Sequence, residues 1–388
     1  MQTLLTLNVG SSTLKFTYYG IEQGQPVIRC GGLVDGIGKP VGRFMSHVDG
    51  HTLRDEPFPA STHAHAIADV LALGHERDLQ LAAVAHRVVH GGGDFASAVR
   101  LDADVLAKLH SLIPLAPLHQ PGSLAGIAAV TAEAPHIPQF ACFDTAFHAT
   151  QDPLSTRFGI ARHWHDEGVR RYSFHGLSYA AIAHKLPEVL GAEEAEKRVV
   201  VLHLGSGSSA CVMHHRKSVA TSMGMSACEG LMMGSRPGNL DPEVVLYWME
   251  NAGMDIAAVR QELYKKSGLL GVSGGLSADM RELLVSDEAA AQEAVELFCY
   301  RAAREVGALA VQAGGIDHLV FTAGMGERSA VVRHKIIERL AFLGFSLDED
   351  ANTANAARIS RVGAERAVWV IPTDEEGQMA REAFALLG

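Results

Sequence analysis

Two segments of this chain, about half its length apart, share one plan: an apolar run, a polar residue, a glycine/serine turn and a second β-like run. The first reads Leu4-Leu-Thr-Leu-Asn-Val-Gly-Ser-Ser-Thr-Leu-Lys-Phe16, the second Val200-Val-Leu-His-Leu-Gly-Ser-Gly-Ser-Ser-Ala-Cys211. Asn8 and His203 hold matching places in the two copies. A repeat on this scale predicts two related α/β domains, each presenting a small-residue hairpin. Such loops expose backbone N–H groups without side-chain bulk, which suits phosphate oxygens. Taken singly, either loop is more often a plain hairpin turn. Gly205, Gly207 and Ala210 trace the outline of a dinucleotide fingerprint, but that fingerprint needs a helix after it. Ser208–Met213 reads as a strand instead, so the match carries no weight.

The chain has 388 residues, enough for about two domains of ordinary size. Its net charge of −11 gives no support for nucleic acid or an anionic membrane surface as partner. An anionic substrate therefore needs a locally basic pocket, and arginines in loops become informative. Five cysteines without CxxC spacing argue for a reduced interior, with neither a disulfide framework nor a zinc site. No targeting signal or membrane-length apolar run is evident, so a cytoplasmic protein is expected.

Strands are expected at Leu4–Val9, Leu14–Tyr19, Ala82–Val89 and Gln139–Phe143, with helices at Ala64–Leu73 and Ala103–Leu112. A polar and histidine-rich link, 149–167, leads to a second half beginning near Val199. There a long helix is expected from about Ser286 to Ala313, then strand His318–Thr322, a glycine loop Ala323–Glu327 and helix Ala330–Leu340. Strand, glycine loop and helix in succession make a ready anion site. A last strand, Ala367–Ile371, precedes a closing helix.

Two arginines stand among glycines. Arg87 lies in His86-Arg-Val-Val-His-Gly-Gly-Gly93, and Arg236 in Met233-Gly-Ser-Arg-Pro-Gly-Asn-Leu-Asp-Pro242. An arginine in a turn is usually just solvated, but flanking glycines let a ligand approach and favour a planar anion clamp. His119 sits between prolines, His175 precedes a glycine, and Asp144 ends a strand in Phe143-Asp-Thr-Ala-Phe-His148. A lone histidine or aspartate is most often a satisfied structural group, and no zinc-type spacing occurs near these. Asp144 reads as a base or a magnesium-linked carboxylate.

These segments together resemble the acetate kinase family, within the larger group of sugar kinases, chaperone ATPases and actin. The resemblance rests on Asn8-x-Gly-Ser-Ser-x-Leu-Lys15, His86-Arg-Val-Val-His-Gly-Gly92, Leu115-Ala-Pro-Leu-His119, Phe143-Asp-Thr-Ala-Phe-His148 and Arg170-Arg-Tyr-x-Phe-His-Gly176. It continues through His203-Leu-Gly-x-Gly207, Thr221-Ser-Met-Gly224, Ser267-Gly-Leu-Leu-Gly271, Phe321-Thr-Ala-Gly-x-Gly-Glu327 and Ile371-Pro-Thr-Asp-Glu-Glu376, in order from end to end.

The resemblance implies a fold class of α/β with two duplicated actin/Hsp70/sugar-kinase-like (ribonuclease H-like) domains and an interdomain cleft. The boundaries implied are 1–148 plus 375–388 for the carboxylate and magnesium side, and 149–374 for the nucleotide side. It implies reversible, direct in-line phosphoryl transfer from ATP to acetate or propionate, giving acyl phosphate and ADP, with Mg2+ (or Mn2+) and a homodimer. Asp144, Arg236, His175, Arg87 and His119 would be catalytic. Arg87 would grip the carboxylate, with Val89, Leu118, Phe174 and Ala227 lining the acyl pocket. Asn8 and Glu375 would complete the magnesium environment. Lys15, the loop His203-Leu204-Gly205-Ser206-Gly207, the segment Asp279-Met280-Arg281 and the loop Gly324-Met325-Gly326-Glu327-Arg328 would hold nucleotide.

Several positions depart from the family pattern. Ser206 and Arg328 stand where asparagine is usual, and Ala220 where aspartate is. Ala227 replaces a proline of the acyl pocket, which leaves room for propionate. Most departures fall in nucleotide loops or the acyl pocket. The competing expectations are a butyrate or other kinase of the same fold, a non-metabolic ATP-binding switch, and a weakly active paralogue.

Overall fold

The computed structural model describes residues 2–387. Thirteen strands in the described residues form two sheets, one of eight strands and one of five. The first sheet contains β1 (Gln2–Val9), β2 (Thr13–Glu22), β3 (Gln25–Asp35), β4 (Arg43–Val48), β5 (His51–Pro57), β6 (Gln80–Val88), β7 (Val99–Arg100) and β8 (Gln139–Phe143). Their order is β5-β4-β3-β2-β1-β6-β8-β7. The second contains β9 (Val199–Leu204), β10 (Ser208–His214), β11 (Lys217–Thr221), β12 (His318–Thr322) and β13 (Ala367–Val370), in the order β11-β10-β9-β12-β13.

The duplication is visible in this order. In each sheet the first strand lies between its antiparallel hairpin partner and a parallel strand that arrives after a helical connection. A second parallel strand follows in each, β8 beside β6 and β13 beside β12. Asn8 and His203 are each the penultimate residue of the matching strand, paired with Lys15 and Ser209 on the returning strand. Ser208–His214 is a strand with no helix after it, which disposes of the dinucleotide fingerprint.

The chain divides into two compact units. One holds the residues up to Phe147, Gly176–Ala181, and those from Asp374 onward; the other holds His148–His175 and Ile182–Thr373. The segment Gly176–Ala181 falls with the first unit, unlike the sequence-based boundary at residue 149. Its reason is local: the Gly176 N–H donates to the Asp144 carbonyl at 2.7 Å, and a Cβ at Gly176 would lie 2.2 Å from that oxygen. Only glycine fits so close an approach.

In the first unit Leu5, Leu7, Phe16 and Tyr18 pack on one face of the sheet against Ile67, Val70 and Val130 of helices His63–Glu76 and Gln120–Glu133. Leu4, Ala83, Ala85 and Cys142 face the other way, onto Met379, Ala380 and Ala383 of the closing helix Glu375–Leu387. Alternate residues of β1 thus serve opposite layers, as strand geometry requires. The closing helix thereby carries Glu375 back to the sheet of Asn8.

In the second unit every residue of β9 is buried, and all but His203 are apolar. The long helix Ala289–Gln312 covers Val200, Leu202, Leu319 and Phe321 with Ala294, Phe298, Ala302 and Val306. Ala323–Glu327 was expected as a loop. It is instead the body of a short helix, Ala323–Arg328, entered through Ala323 at a left-handed φ of 63°. Glycine punctuation misleads here because Gly326 is packed against Phe321 and Leu202. Among the described residues no helix is long and apolar enough to cross a membrane.

Candidate active site

Three strand ends of the first unit converge on one arginine. Arg87, penultimate in β6, donates from Nε to Asp144 Oδ1 at 3.0 Å and from Nη2 to Oδ2 at 2.5 Å. Its Nη1 donates to Asn8 Oδ1 at 3.1 Å. Asp144 follows β8 directly and is almost wholly buried, its own N–H held by the Val88 carbonyl. The fork is the bidentate geometry that guanidinium and carboxylate favour. Burial opposes the charge on Arg87, but Asp144 outweighs it and the guanidinium rises above its ordinary value.

The loop after β6 is built for close approach. Gly91 N–H donates to Thr145 Oγ1 at 3.0 Å, and Gly92 takes a left-handed φ of 65°. Gln120 clamps His90 by its main chain, accepting from N–H and donating to C=O. His86 and His90 are both pushed down to about 4 by burial, so they are neutral framework. Val89 is buried, whereas Leu118 and His119 are exposed at the start of helix Gln120–Glu133.

Glu375 opens the closing helix, half-buried. Burial first, and then the charges of Asp144 and Glu376, raise its carboxyl to about 7, against the pull of Arg87 and Lys15. A carboxyl whose folded value lies above its unfolded 4.5 costs no stability below pH 4.5 and a growing amount as pH rises through 7. In metal-free buffer, Glu375→Gln is expected to melt above the parent protein at pH 8, by on the order of 1–3 kcal/mol, and level with it near pH 4.5. Equal melting at both pH values would contradict this strain. Asn8, Asp144 and Glu375 form an oxygen-only donor set, the chemistry that Mg2+ prefers. Among the described residues no group of three or more His, Cys, Asp or Glu could hold a metal ion, so a magnesium site here requires water and the Asn8 amide as well.

In the second unit the candidate residues gather around Gly207. A Cβ there would lie 2.7 Å from Arg236 Nη2 and 3.4 Å from His175 Nε2, so the guanidinium and the imidazole both border this loop. His175 adopts a left-handed φ of 58° ahead of helix Gly176–Leu190, shares a hydrogen bond with Ser209 Oγ at 2.8 Å, and stacks on His203 at 4.2 Å. His148 is buried and lowered to about 4; it supports this strand as a neutral ring between Ser218 Oγ and the Phe174 carbonyl.

Arg236 donates to the Ala227 carbonyl and makes no ion pair among the described residues. Burial lowers its guanidinium, opposed by Cys228 and Tyr264. A half-buried cation without an acid is a standing invitation to an anion. Its loop is cradled by the next one: Leu269 N–H donates to Met233 C=O, Leu270 N–H to Gly234 C=O and Ser267 N–H to Ser235 C=O. Gly268 makes the cradle possible, with φ of 65° and a would-be Cβ 2.2 Å from the Met233 oxygen. Gly268→Ala is expected to cost about 1–3 kcal/mol of stability and to depress turnover by displacing Arg236. Parent-like melting and kinetics would contradict that role.

The loop 205–207 is tied inward by Ser208 Oγ to Gly205 C=O and by Gly234 N–H to Ser206 C=O. The departure at Ser206 thus leaves the backbone bond intact. Leu204 is buried in the strand. Asp279 caps helix Met280–Leu284 and pairs with Arg281, whose side chain is largely exposed, while Met280 is buried. In the short helix, Gly324 and Arg328 are exposed, Met325 packs on the core, and Glu327 accepts from the Thr373 N–H. Lys15 is exposed on β2; Phe174 is buried and Ala227 half-buried in the second unit. The residues expected to line an acyl pocket divide by unit, Val89 and Leu118 with the first, Phe174 and Ala227 with the second.

Sequence reasoning missed Arg333. It is fully buried and donates to the Gly326 and Glu327 carbonyls, to the Asn352 side chain and carbonyl, and to Asn355 Oδ1. It thereby caps the short helix Ala323–Arg328. No local signal marked it, because the side chains that bury it, Asn352 and Asn355, come from a distant turn.

The model of the acetokinase family matches residues 3–381. An acetate kinase of Rhodopseudomonas palustris (strain ATCC BAA-98 / CGA009) is 46% identical over 391 residues, covering 99% of this chain and 98% of its own. One from Rhizobium meliloti is 45% identical over 395 residues, covering 100% of this chain and 99% of its own. Among solved structures, Porphyromonas gingivalis acetate kinase aligns with a TM-score of 0.89 at 33% identity over 100% of both chains. A propionate kinase from Francisella tularensis subsp. tularensis SCHU S4 gives 0.92 at 33% identity, over 98% of this chain and 99% of its own. Matched along nearly its whole length, with the same duplicated α/β architecture, this chain belongs to the acetokinase family.

Proposed function

We propose that this chain transfers the γ-phosphoryl group of ATP, reversibly, to a short-chain carboxylate, acetate or propionate. In one in-line displacement a carboxylate oxygen bonds to the γ-phosphorus while the bond to the β–γ bridging oxygen breaks, leaving acyl phosphate and ADP. The observation that carries the reading is Arg236, half-buried without an acidic partner and bordering Gly207 together with His175, in a chain matched end to end by acetate kinases. Two anions must approach each other in this reaction, so positive charge at the γ-phosphate is its main requirement.

In this reading Arg236 and His175 stabilise the equatorial oxygens, Arg87 orients the carboxylate or acyl phosphate, and His119 supports the phosphoryl group. Asp144 fixes Arg87 and aids the nucleophile. Asn8, Asp144 and Glu375 supply oxygen donors for Mg2+ (or Mn2+), largely through water, and that ion would offset charge on the β- and γ-phosphates. Lys15, the loop His203–Gly207, Asp279–Arg281 and the segment Gly324–Arg328 hold the nucleotide. Ala227 leaves acid choice to apolar fit, where one methylene is worth only about 1–3 kcal/mol. The reverse reaction tests the reading directly: acetyl phosphate plus ADP and Mg2+ is expected to yield ATP. No ATP from acetyl or propionyl phosphate would contradict it.

The same reading includes a cytoplasmic enzyme, consistent with five free cysteines, and a homodimer. Helix Pro242–Asn251 buries none of its residues, and Leu246, Tyr247, Met249 and nearby Ile256 are exposed. A second copy would cover this face. Tyr247→Glu is expected to shift the mass measured by light scattering from dimer to monomer. An unchanged mass for a folded variant would contradict that surface.

A further inference from the structure

We infer that the Arg171–Glu229 ion pair is a positioning device that holds the loop of His175 and the loop of Arg236 in one arrangement. The inference rests on the proposed roles of those two residues at the phosphoryl group. Arg171 Nη2 donates to Glu229 Oε1 at 2.5 Å, across 58 residues of sequence. Among the described residues no other ion pair joins segment 170–175 to segment 222–236.

The geometry around the pair shows what it fixes. Tyr172 and Ser173 both donate backbone N–H to the Gly224 carbonyl, at 3.0 and 3.1 Å. Ser173 and His175 are both left-handed, so the stretch between Arg171 and His175 keeps its shape only while it is tied down. Glu229 reaches back over the same anchor: a Cβ on Gly224 would fall 1.7 Å from Glu229 Oε2. From there the chain is gripped at Ala227, whose carbonyl accepts from Arg236. Gly224, Ala227 and Glu229 thus lie on one strap, held at Glu229 by Arg171, at Gly224 by Tyr172 and Ser173, and touched between them at Ala227 by Arg236.

The surroundings keep Arg171 in place. Its guanidinium lies 4.9 Å from the Phe158 ring centroid. Buried Glu305, from the long helix, faces Arg171, Arg304 and Glu229; burial raises its carboxyl, as does Glu229, while the two arginines oppose the rise. Removing Arg171 would leave Glu229 and Glu305 facing each other without their shared cation. Glu229 would then leave Gly224, and His175 and Arg236 would lose their common reference.

The test compares Arg171→Met, Arg171→Lys and Glu229→Gln by steady-state kinetics with ATP and acetate. Arg171→Met and Glu229→Gln are expected to lower kcat by about 10–100-fold, the size of a misplacement near 1 Å. KM for both substrates should stay near the parent value, because the affected groups act in the transition state. Arg171→Lys keeps the charge within reach and should recover most of kcat. In a His175→Ala background, Arg171→Met should cost much less than in the parent, since one of the groups it positions is already gone. Three results would overturn the inference: parent-like kcat in Arg171→Met, an undiminished loss in the His175→Ala background, or a fall only in melting temperature and folded yield. Parent-like kcat in His175→Ala and Arg236→Ala would instead overturn the reading beneath it, and this inference with it.

Discussion

Arg236→Ala is expected to fold like the parent and to lose about 10³–10⁵ of kcat, the loss typical of a transition-state arginine in phosphoryl transfer. The two halves of that expectation have separate causes. Folding should survive because Arg236 makes no ion pair among the described residues; its side-chain hydrogen bond goes to the carbonyl of half-buried Ala227, which water can serve instead. Burial already lowers this guanidinium, so removing it relieves a cost. Turnover should collapse because the same uncompensated charge would be met by phosphate oxygens. Arg236→Lys is expected to recover only a small part, since an ammonium cannot reproduce the planar fork. Circular dichroism and melting of the variants, set beside kcat, separate the two effects. Near-parent kcat in Arg236→Ala would remove the role assigned to it.

Asp144→Ala is expected to fail in both respects. Asp144 is almost wholly buried and takes two hydrogen bonds from Arg87, so truncating it strands a half-buried guanidinium. Breaking one side of such a pair costs about 3–5 kcal/mol. Asp144→Asn keeps the shape and one acceptor, and should fold better while remaining far below parent activity. Chemical denaturation gives the stability ranking parent, Asn, Ala. An Asp144→Ala protein as stable as the parent would mean that the fork does not hold the three strand ends together.

Much of this architecture could be read in the sequence because its strongest signals are local. The two hairpins announce themselves as apolar runs ending in glycine and serine, and a strand as buried as β9 is apolar at every position but His203. Arg87, Asp144, His175 and Arg236 were marked by strand ends and neighbouring glycines, which persist whatever the tertiary contacts. The unmarked parts depend on distant partners. Arg333 falls in a helix pattern where an arginine normally meets solvent; Asn352 and Asn355 bury it. Nothing in the sequence pairs Arg171 with Glu229, 58 residues away; the fold brings them together beside Gly224. Ala323–Arg328 read as a loop from its glycines, while packing against Leu202 and Phe321 makes it helical. Gly176–Ala181 joins the first unit through the approach of Gly176 to Asp144 and the packing of Leu177 on Leu4, Ala83 and Ala85, which no composition shift could signal.

If a carboxylate is the phosphoryl acceptor, acyl phosphate must accumulate, and trapping it is the most direct test. Purified protein with ATP, Mg2+ and hydroxylamine is expected to form acyl hydroxamate with acetate and with propionate, and less with butyrate. Arg236→Ala should form almost none. Nucleotide binding at ordinary strength without hydroxamate from any of the three acids would contradict the account.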